Sequence, residues 1–211
     1  MKACATLLLV LISFLAIPAM AGEIYNDGPI NGTTDAWTIN EGFFVGDSFT
    51  VSSGPSNISG MQFGAWLFPG DVLESVQVVI SNEPGGGTTY FDQQVNFTAS
   101  GCVANQFGYD VCTETGTFNV PTLNNGTYWV ILQNAVVNNG DPVYWDENSG
   151  IGCTSPGCPS ETVVPEGSIP AESFTILGGP ASGSTPESSS IILFGSGVVG
   201  LAGVIRRKFR C

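Results

Sequence analysis

The chain contains no lysine, arginine or histidine between Ala3 and Ile205, and this gap in positive charge constrains every structure that it can form. Its five cations lie in the two terminal segments, whereas all 18 acids lie between Glu23 and Glu187. A domain built from the central region therefore has no side-chain salt bridge. The lack of cations also argues against nucleic acid as a partner and disfavours an anionic lipid surface.

Short apolar runs in the central region predict β-strands. They are rich in β-branched and aromatic residues, and several alternate apolar with polar positions, as half-buried antiparallel strands do. Turn signals such as Glu83–Gly87 and Asn124–Gly126 separate the runs, and no long segment has a helical period. The runs are Ala36–Ile39, Phe43–Val45, Ser48–Val51, Gln62–Leu67, Ser75–Ile80, Thr88–Phe91, Gln94–Phe97, Gly116–Val120, Thr127–Leu132, Pro142–Trp145 and Glu172–Ile176.

This pattern predicts one all-β domain over residues 22–177, an antiparallel β-sandwich of jelly-roll type. An immunoglobulin-like sandwich is the main alternative. Leu177 is the last residue of the apolar pattern, and the small residues of 178–184 predict a linker.

Residues 1–21 have the composition of a secretory signal peptide. Lys2 precedes a short apolar run, Leu7–Leu15, and Pro18–Ala21 ends in an Ala-x-Ala pattern. This order predicts a signal helix that is cleaved after Ala21. A permanent membrane anchor is the alternative, but the short run and the small-residue site favour cleavage.

Four of the six cysteines lie in the predicted domain: Cys102, Cys112, Cys153 and Cys158. An even number of cysteines in an exported domain predicts two disulfides. The close spacings favour Cys102–Cys112 and Cys153–Cys158, and other pairings stay open. A metal site is the alternative, but the Cys-x2-Cys spacing and the histidine of zinc sites are missing.

The last residues of the chain form three parts. The triplet Pro186, Glu187 and Ser188 precedes the uncharged, glycine-rich span Ile191–Ile205, and a basic stop follows it. Residues 188–205 would extend about 27 Å as a helix, which is enough for a transmembrane helix. Such a basic stop stays on the cytoplasmic side, and four cations disfavour the alternative of a buried core helix. The stop consists of Arg206, Arg207, Lys208 and Arg210.

This three-part order resembles the PEP-CTERM sorting signal of Gram-negative-type bacteria, also known as the ice-binding protein C-terminal domain, a label that does not imply ice binding. The resemblance covers residues 185–211 and implies processing near the triplet by an exosortase, a membrane cysteine transpeptidase. Pro186 and Glu187 match the first two positions of the triplet, whereas Ser188 stands where a second proline is usual. Gly126–Trp129 and Val143–Gly150 more loosely resemble small bacterial surface proteins that carry such tails.

The composition excludes several kinds of catalytic site. Without histidine there is no Ser-His-Asp or Cys-His arrangement, and without lysine in the domain there is no Ser-Lys arrangement. Paired carboxylates for glycoside hydrolysis are the remaining option. The adjacent Asp146 and Glu147 would face opposite sides of a strand and could not share one glycosidic bond. We therefore expect no enzyme activity.

Two further sets of residues are candidate binding groups. Oxygen atoms that could hold Ca²⁺ belong to Asp141, Asp146, Glu147 and Asn148. Their spacing is not that of an EF-hand, so a solvated turn is the favoured interpretation, as it is for Asp27, Asp47 and Asp71. The second set is Trp37, Trp66, Trp129 and Trp145. These rings could form a sugar-stacking platform, but packing in the core is favoured, because tryptophan buries a large area.

The sequence thus predicts an exported structural or interaction protein of the cell surface or extracellular matrix, anchored at least transiently in the membrane. The alternative is a β-sandwich module that binds glycan or Ca²⁺, with no other cofactor. The predicted partners are the membrane, through the C-terminal helix, an exosortase-type enzyme and extracellular polysaccharide.

Overall fold

The computed structural model describes residues 22–148, 160–162 and 168–181. The predicted signal peptide, the Cys153–Cys158 pair, the sorting triplet, the transmembrane span and the basic stop lie outside these residues. Within the described part of the chain, no helix is long and apolar enough to cross a membrane.

Twelve strands make up the described part of the chain. They are β1 (Gly22–Asn26), β2 (Ala36–Thr38), β3 (Phe44–Val51), β4 (Ser56–Leu67), β5 (Leu73–Glu83), β6 (Gly86–Ala104), β7 (Asp110–Thr117), β8 (Gly126–Val137), β9 (Tyr144–Asp146), β10 (Ser160–Thr162), β11 (Ser168–Ile169) and β12 (Phe174–Pro180).

The strands form one antiparallel sheet that is strongly curled into a half-barrel. The order is β1-β12-β4-β7-β6-β5-β8-β3-β10-β11, and β9 joins β2 to β4 at the side of this path. The prediction of an all-β antiparallel fold is confirmed. The finer jelly-roll topology stays a prediction.

Strand β6 carries the sheet around its bend. Asn96 still pairs with Ser75 of β5, whereas Phe97 pairs with Gly116 of β7. The Phe97 ring lies directly over Gly116, where an added Cβ would come within 2.6 Å of the ring. Position 116 therefore requires glycine for the aromatic ring to pack into the bend.

The core lies inside the curl of the sheet, and Trp145 is its largest fully buried side chain. Its ring meets Phe63 and Phe174 edge-on, at centroid distances of 6.1 and 5.6 Å. Its indole N–H donates a hydrogen bond to the Ser173 carbonyl at 3.0 Å, so the polar atom is satisfied inside the core. Core packing is thus confirmed for Trp145, and the Trp66 and Trp129 side chains are buried as well.

Strand β12 extends into the predicted linker, which begins at residue 178. Gly178 and Gly179 pair with Ile58 and Asn57 of β4, and the Ala181 N–H donates to the Pro55 carbonyl at 2.9 Å. A Cβ at Gly178 would collide with the neighbouring strand. The glycine therefore permits the two backbones to approach closely. A run of small residues is found both at such close approaches and in flexible linkers, so the sequence alone does not distinguish the two.

The predicted Cys102–Cys112 disulfide is present and closes the tip of the β6–β7 hairpin. The register between the two strands shifts between Ser100 and Val103, so the disulfide lies at a bulge. A disulfide forms and persists in an oxidising environment, which indicates an extracytoplasmic location.

Removing this disulfide in a Cys102→Ala/Cys112→Ala double variant should lower the free energy of unfolding by about 2–3 kcal/mol, because a short closed loop is released in the unfolded chain. Urea denaturation of the oxidised protein and of the variant measures the difference. The oxidised protein treated with reductant serves as the control and should match the variant. Equal midpoints in all three samples would contradict the prediction.

Candidate functional site

Asp146, at the end of β9, holds the loop that follows β1 against the sheet. Its two carboxylate oxygens accept hydrogen bonds from the backbone N–H groups of Asn31 and Gly32, at 2.9 and 3.0 Å. They also accept from the indole N–H of Trp66 at 2.7 Å and from the Ser173 hydroxyl at 3.0 Å. The side chain is fully buried. We call this arrangement the Asp146 clamp.

The backbone of Gly64 forms the floor beneath the Asp146 clamp. A Cβ at this position would lie 2.7 Å from the Asp146 Cβ and 2.8 Å from atoms of Ile30 and Ser173. Such distances are shorter than van der Waals contact. The clamp can therefore form only over a strand position that lacks a side chain.

Gly64→Ala should lower the free energy of unfolding by about 2–3 kcal/mol, because the added methyl group overpacks the site beneath the clamp. Thermal unfolding followed by circular dichroism measures the change. Gly86→Ala is the matched control, because a Cβ at Gly86 meets nothing within 4 Å. The packing argument fails if both variants unfold at the same temperature as the parent.

Asp146 belongs to a larger group of buried acids, which we call the carboxyl cluster. Its members come from four separate segments of the chain, and each is at most 4% exposed. They are Asp27, Asp47, Asp146, Glu147 and Glu172. Since the described chain contains no cationic side chain, only protons, hydrogen-bond donors and backbone dipoles are available to stabilise them.

Asp27 and Asp47 form the part of the cluster nearest β1 and β3. Hydrogen bonding with the Asp47 side chain lowers the pKa of Asp27. Asp27 also accepts from the Tyr25 hydroxyl at 2.6 Å and from the Asn148 amide. Burial raises the pKa of Asp27, and these donors only partly oppose that rise.

Asp47 is also bound to the backbone that precedes β12. One of its carboxylate oxygens accepts the Glu172 N–H at 2.8 Å, and the other accepts the Ser48 N–H at 2.6 Å. The Asn148 amide donates to the Glu172 carbonyl at 3.1 Å and to the Asp27 carbonyl. The cluster thus joins the chain after β1, strand β3, the chain after β9 and the chain before β12.

Glu147 and Glu172 face each other across an isolated β-bridge. Burial raises the pKa of Glu172 well above its usual value, and the negative charges of Asp47, Glu147, Asp146 and Asp35 raise it further. Burial also raises the pKa of Glu147, although the Trp37 indole N–H at 3.4 Å opposes the rise. Both side chains therefore favour the protonated form more strongly than exposed glutamates do.

Glu114 is a further buried acid, on β7 between Phe63 of β4 and Ala99 of β6. It is fully buried, and neither carboxylate oxygen has a hydrogen-bond partner within the described residues. Burial raises its pKa to about 7. At neutral pH this carboxyl group therefore exists as a mixture of protonated and ionised forms.

The carboxyl cluster can store protons, but its geometry differs from that of an exposed ligand-binding site. In the described residues, no group of three or more cysteine, aspartate or glutamate side chains is placed to hold a metal ion. The oxygens of Asp146 already accept four hydrogen bonds. The structure therefore gives no support to the predicted Ca²⁺ set.

Comparisons with protein-family models, with curated proteins and with solved structures gave no match. The functional argument therefore depends on this chain's own residues.

The structure separates the residues that the sequence grouped for Ca²⁺. Asp141 lies half-buried in the connection before β9, and its carbonyl accepts from the Asn40 amide at 2.9 Å. Asp146, Glu147 and Asn148 are buried, so the favoured interpretation as a solvated turn is wrong for these three. Their burial follows from pairing of this segment with residues 171–173.

For the other members of the cluster, the sequence pattern predicts a place in a turn or a strand but no functional role. Asp47 lies in the middle of β3 and is buried, so its prediction as a turn residue is wrong, and Asp27 is equally buried. Asp71 does lie in a turn, which its N–H closes by donating to the Phe68 carbonyl. The one signal in the sequence is the lack of any cation between Ala3 and Ile205, because an acid that folding buries in this region has no salt-bridge partner there.

Proposed function

We propose that the protein is an exported structural or interaction protein of the cell surface or extracellular matrix. The observation that carries this proposal is the order of the C-terminal segment, Pro186-Glu187-Ser188, then Ile191–Ile205, then the basic stop. The Cys102–Cys112 disulfide supports it, because it indicates an extracytoplasmic location. In this proposal the C-terminal helix anchors the protein at least transiently, and an exosortase-type enzyme processes it.

The proposal of a non-enzymatic role is supported by the burial of the carboxyl cluster. Glycoside hydrolysis needs two carboxyl groups on either side of a bound sugar. The members of the carboxyl cluster are at most 4% exposed, so a polysaccharide chain does not reach them in this arrangement. The domain then acts through its surface rather than through these groups.

Membrane fractionation of cells with and without an exosortase tests the proposed sorting. The full chain should be found in the envelope fraction, and a variant that ends at residue 184 should be released. Ser188→Pro is a matched variant that restores the usual triplet, and it should increase the fraction of shortened product in the exosortase strain only. The proposal fails if the full chain stays in the cytoplasm, or if its length and distribution are the same in both strains.

A further inference from the structure

Five aromatic side chains lie together where β4 ends and where β7 and β9 begin, and we call them the aromatic surface. They are Trp66, Phe68, Phe107, Tyr109 and Tyr144. Trp66 of β4 pairs with Tyr144 of β9, and neither belongs to the core, whereas their strand neighbours do. Since successive side chains of a strand point to opposite faces, the aromatic surface lies on the side of the sheet that faces away from the core.

The rings of the aromatic surface contact one another in series, with Tyr109 at the centre. This ring meets those of Trp66, Phe68 and Tyr144 at centroid distances of 5.7, 5.0 and 5.5 Å. Trp66 in turn stacks on Phe107, at a centroid distance of 5.5 Å and an interplanar angle of 19°. Because Trp66 is buried and Phe107 is 51% exposed, one face of the Phe107 ring lies on the indole and the other faces solvent. The neighbouring rings thus hold a flat aromatic face open to a partner.

An exposed acid, Glu41, lies beside the aromatic surface. Burial raises the pKa of Tyr144 to about 12, with further contributions from the Tyr109 side chain and from the negative charge of Glu41. The Glu41 carboxylate is therefore close enough to act on the Tyr144 hydroxyl group, which itself stays neutral at physiological pH. Two further acids are near in the chain, since Asp110 follows Tyr109 directly and the Asp71 N–H donates to the Phe68 carbonyl. The negative charge is thus placed next to the rings.

The turn that carries Glu41 is fixed to the segment that leads into β9. Glu41 has a φ of 56°, in the left-handed region that residues other than glycine seldom adopt. The preceding Asn40 holds this turn, because its amide donates to the Asp141 carbonyl at 2.9 Å and its side-chain oxygen accepts the Val143 N–H at 3.1 Å. A carboxylate on an ordered turn loses less conformational entropy when a partner binds.

None of the described residues can supply a cation to the aromatic surface, because the chain has no lysine, arginine or histidine between Ala3 and Ile205. The face of an aromatic ring is electrostatically negative and attracts cations, and a neighbouring carboxylate strengthens this attraction. The formal net charge of the chain is −13, which repels an anionic partner and attracts a cationic one. A partner that complements this surface therefore brings the positive charge itself.

The guanidinium group of arginine fits this combination better than the ammonium group of lysine. It is planar and weakly hydrated, so it stacks on a flat ring, and its fork of N–H donors matches a carboxylate. Phe107 offers the ring and Glu41 offers the carboxylate. Because other rings of the aromatic surface lie between these two residues, a complementary segment presents at least two arginines.

We propose that the aromatic surface docks an arginine-bearing segment of a partner protein, with one guanidinium group over Phe107 and another beside Glu41. The inference deepens the proposed function and rests on it, since it names the class of partner that an interaction protein of the cell surface would meet there.

Isothermal titration calorimetry of the full chain, in a nonionic detergent, with a tetraarginine peptide that is acetylated and amidated at its ends tests the proposal. The matched probe is the tetracitrulline peptide, because citrulline has the shape of arginine without its charge. Tetraarginine should bind and tetracitrulline should not. Phe107→Leu removes the ring but keeps an apolar side chain, and Glu41→Gln removes the carboxylate but keeps its size. Each should weaken tetraarginine binding about threefold or more.

Two control variants should bind like the parent chain. Phe107→Tyr keeps the ring face, and Glu83→Gln removes an exposed acid at the end of β5 that lies far from the Asp71 turn. Circular dichroism should give the same folded spectrum for all variants. The proposal is overturned if tetraarginine does not bind at millimolar concentration, if tetracitrulline binds equally well, if a folded Phe107→Leu or Glu41→Gln variant binds like the parent, or if Glu83→Gln weakens binding as much as Glu41→Gln. Fractionation tests the surface location separately, so either proposal can fail alone.

Discussion

Replacing Asp146 with alanine is expected to lower the free energy of unfolding by about 3–4 kcal/mol, because four donors lose their acceptor inside the protein. The N–H groups of Asn31 and Gly32, the Trp66 indole and the Ser173 hydroxyl all donate to this one carboxylate. Burial raises the pKa of Asp146, because desolvation disfavours the charged carboxylate. Removing this carboxyl group therefore recovers part of the desolvation free energy, which limits the loss of stability. Urea denaturation followed by tryptophan fluorescence measures the effect.

Two variants separate the clamp from a general effect of lost charge. Asp146→Asn keeps the size of the side chain but turns an NH₂ group toward donors, so it should lose nearly as much stability as Asp146→Ala. Asp141→Ala removes a half-buried acid five residues earlier and should change the free energy of unfolding by less than about 0.5 kcal/mol. The clamp is refuted if Asp146→Asn is as stable as the parent or if Asp141→Ala is as damaging as Asp146→Ala.

The strands could be predicted where the apolar alternation is strong. The run Ala36–Ile39 overlaps β2, and the runs Ser75–Ile80 and Thr127–Leu132 lie within β5 and β8. Alternation gives a local signal of which face is buried, so it does not depend on knowing the partner strand. The antiparallel all-β class follows from these strands and from the turn signals between them.

Strand ends and less hydrophobic strands were harder to predict. The predicted runs Thr88–Phe91 and Gln94–Phe97 belong to one strand, β6, which pairs with β5 as far as Asn96 and with β7 from Phe97 onward. Most of β7 was missed, because threonine and glutamate fill its middle. Strand β7 pairs with β4 on one side and with β6 on the other. These tertiary interactions override the weak β-propensity of its own residues.

The carboxyl cluster could not be predicted from the sequence, because its members meet only through long-range contacts. Asp47 and Glu172 are separated by 125 positions and are joined by a hydrogen bond from the Glu172 backbone. Asp27 is beside a glycine, a pattern that is typical of turns. Only the disulfide at Cys102 and Cys112 could be predicted as a contact, because its loop is short and both cysteines are in the region that the sequence predicts to be exported.

The protein is expected to be most stable in mild acid and to lose stability as the pH rises from about 4.5 to 8. Burial raises the pKa of Glu114 from 4.5 to about 7, so the folded state binds a proton that the unfolded chain has already released. The contribution of this proton is complete below pH 4.5 and is lost as the pH passes 7. The loss from Glu114 alone is about 3 kcal/mol. The raised pKa values of Asp27, Asp146, Glu147 and Glu172 change stability in the same direction.

Urea denaturation of the parent, Glu114→Gln and Glu74→Gln at pH 4.5, 6 and 8 measures this dependence. Glu114→Gln keeps a neutral side chain at every pH, so its stability should fall by about 3 kcal/mol less than that of the parent. Glu74 is exposed, so Glu74→Gln removes one charge from the negative surface without changing a buried group, and its pH dependence should match the parent. A parent whose stability rises with pH would contradict the assignment of protonated carboxyl groups to the folded state. A Glu114→Gln variant with the parent's dependence would place the effect in the carboxyl cluster or in the net charge instead.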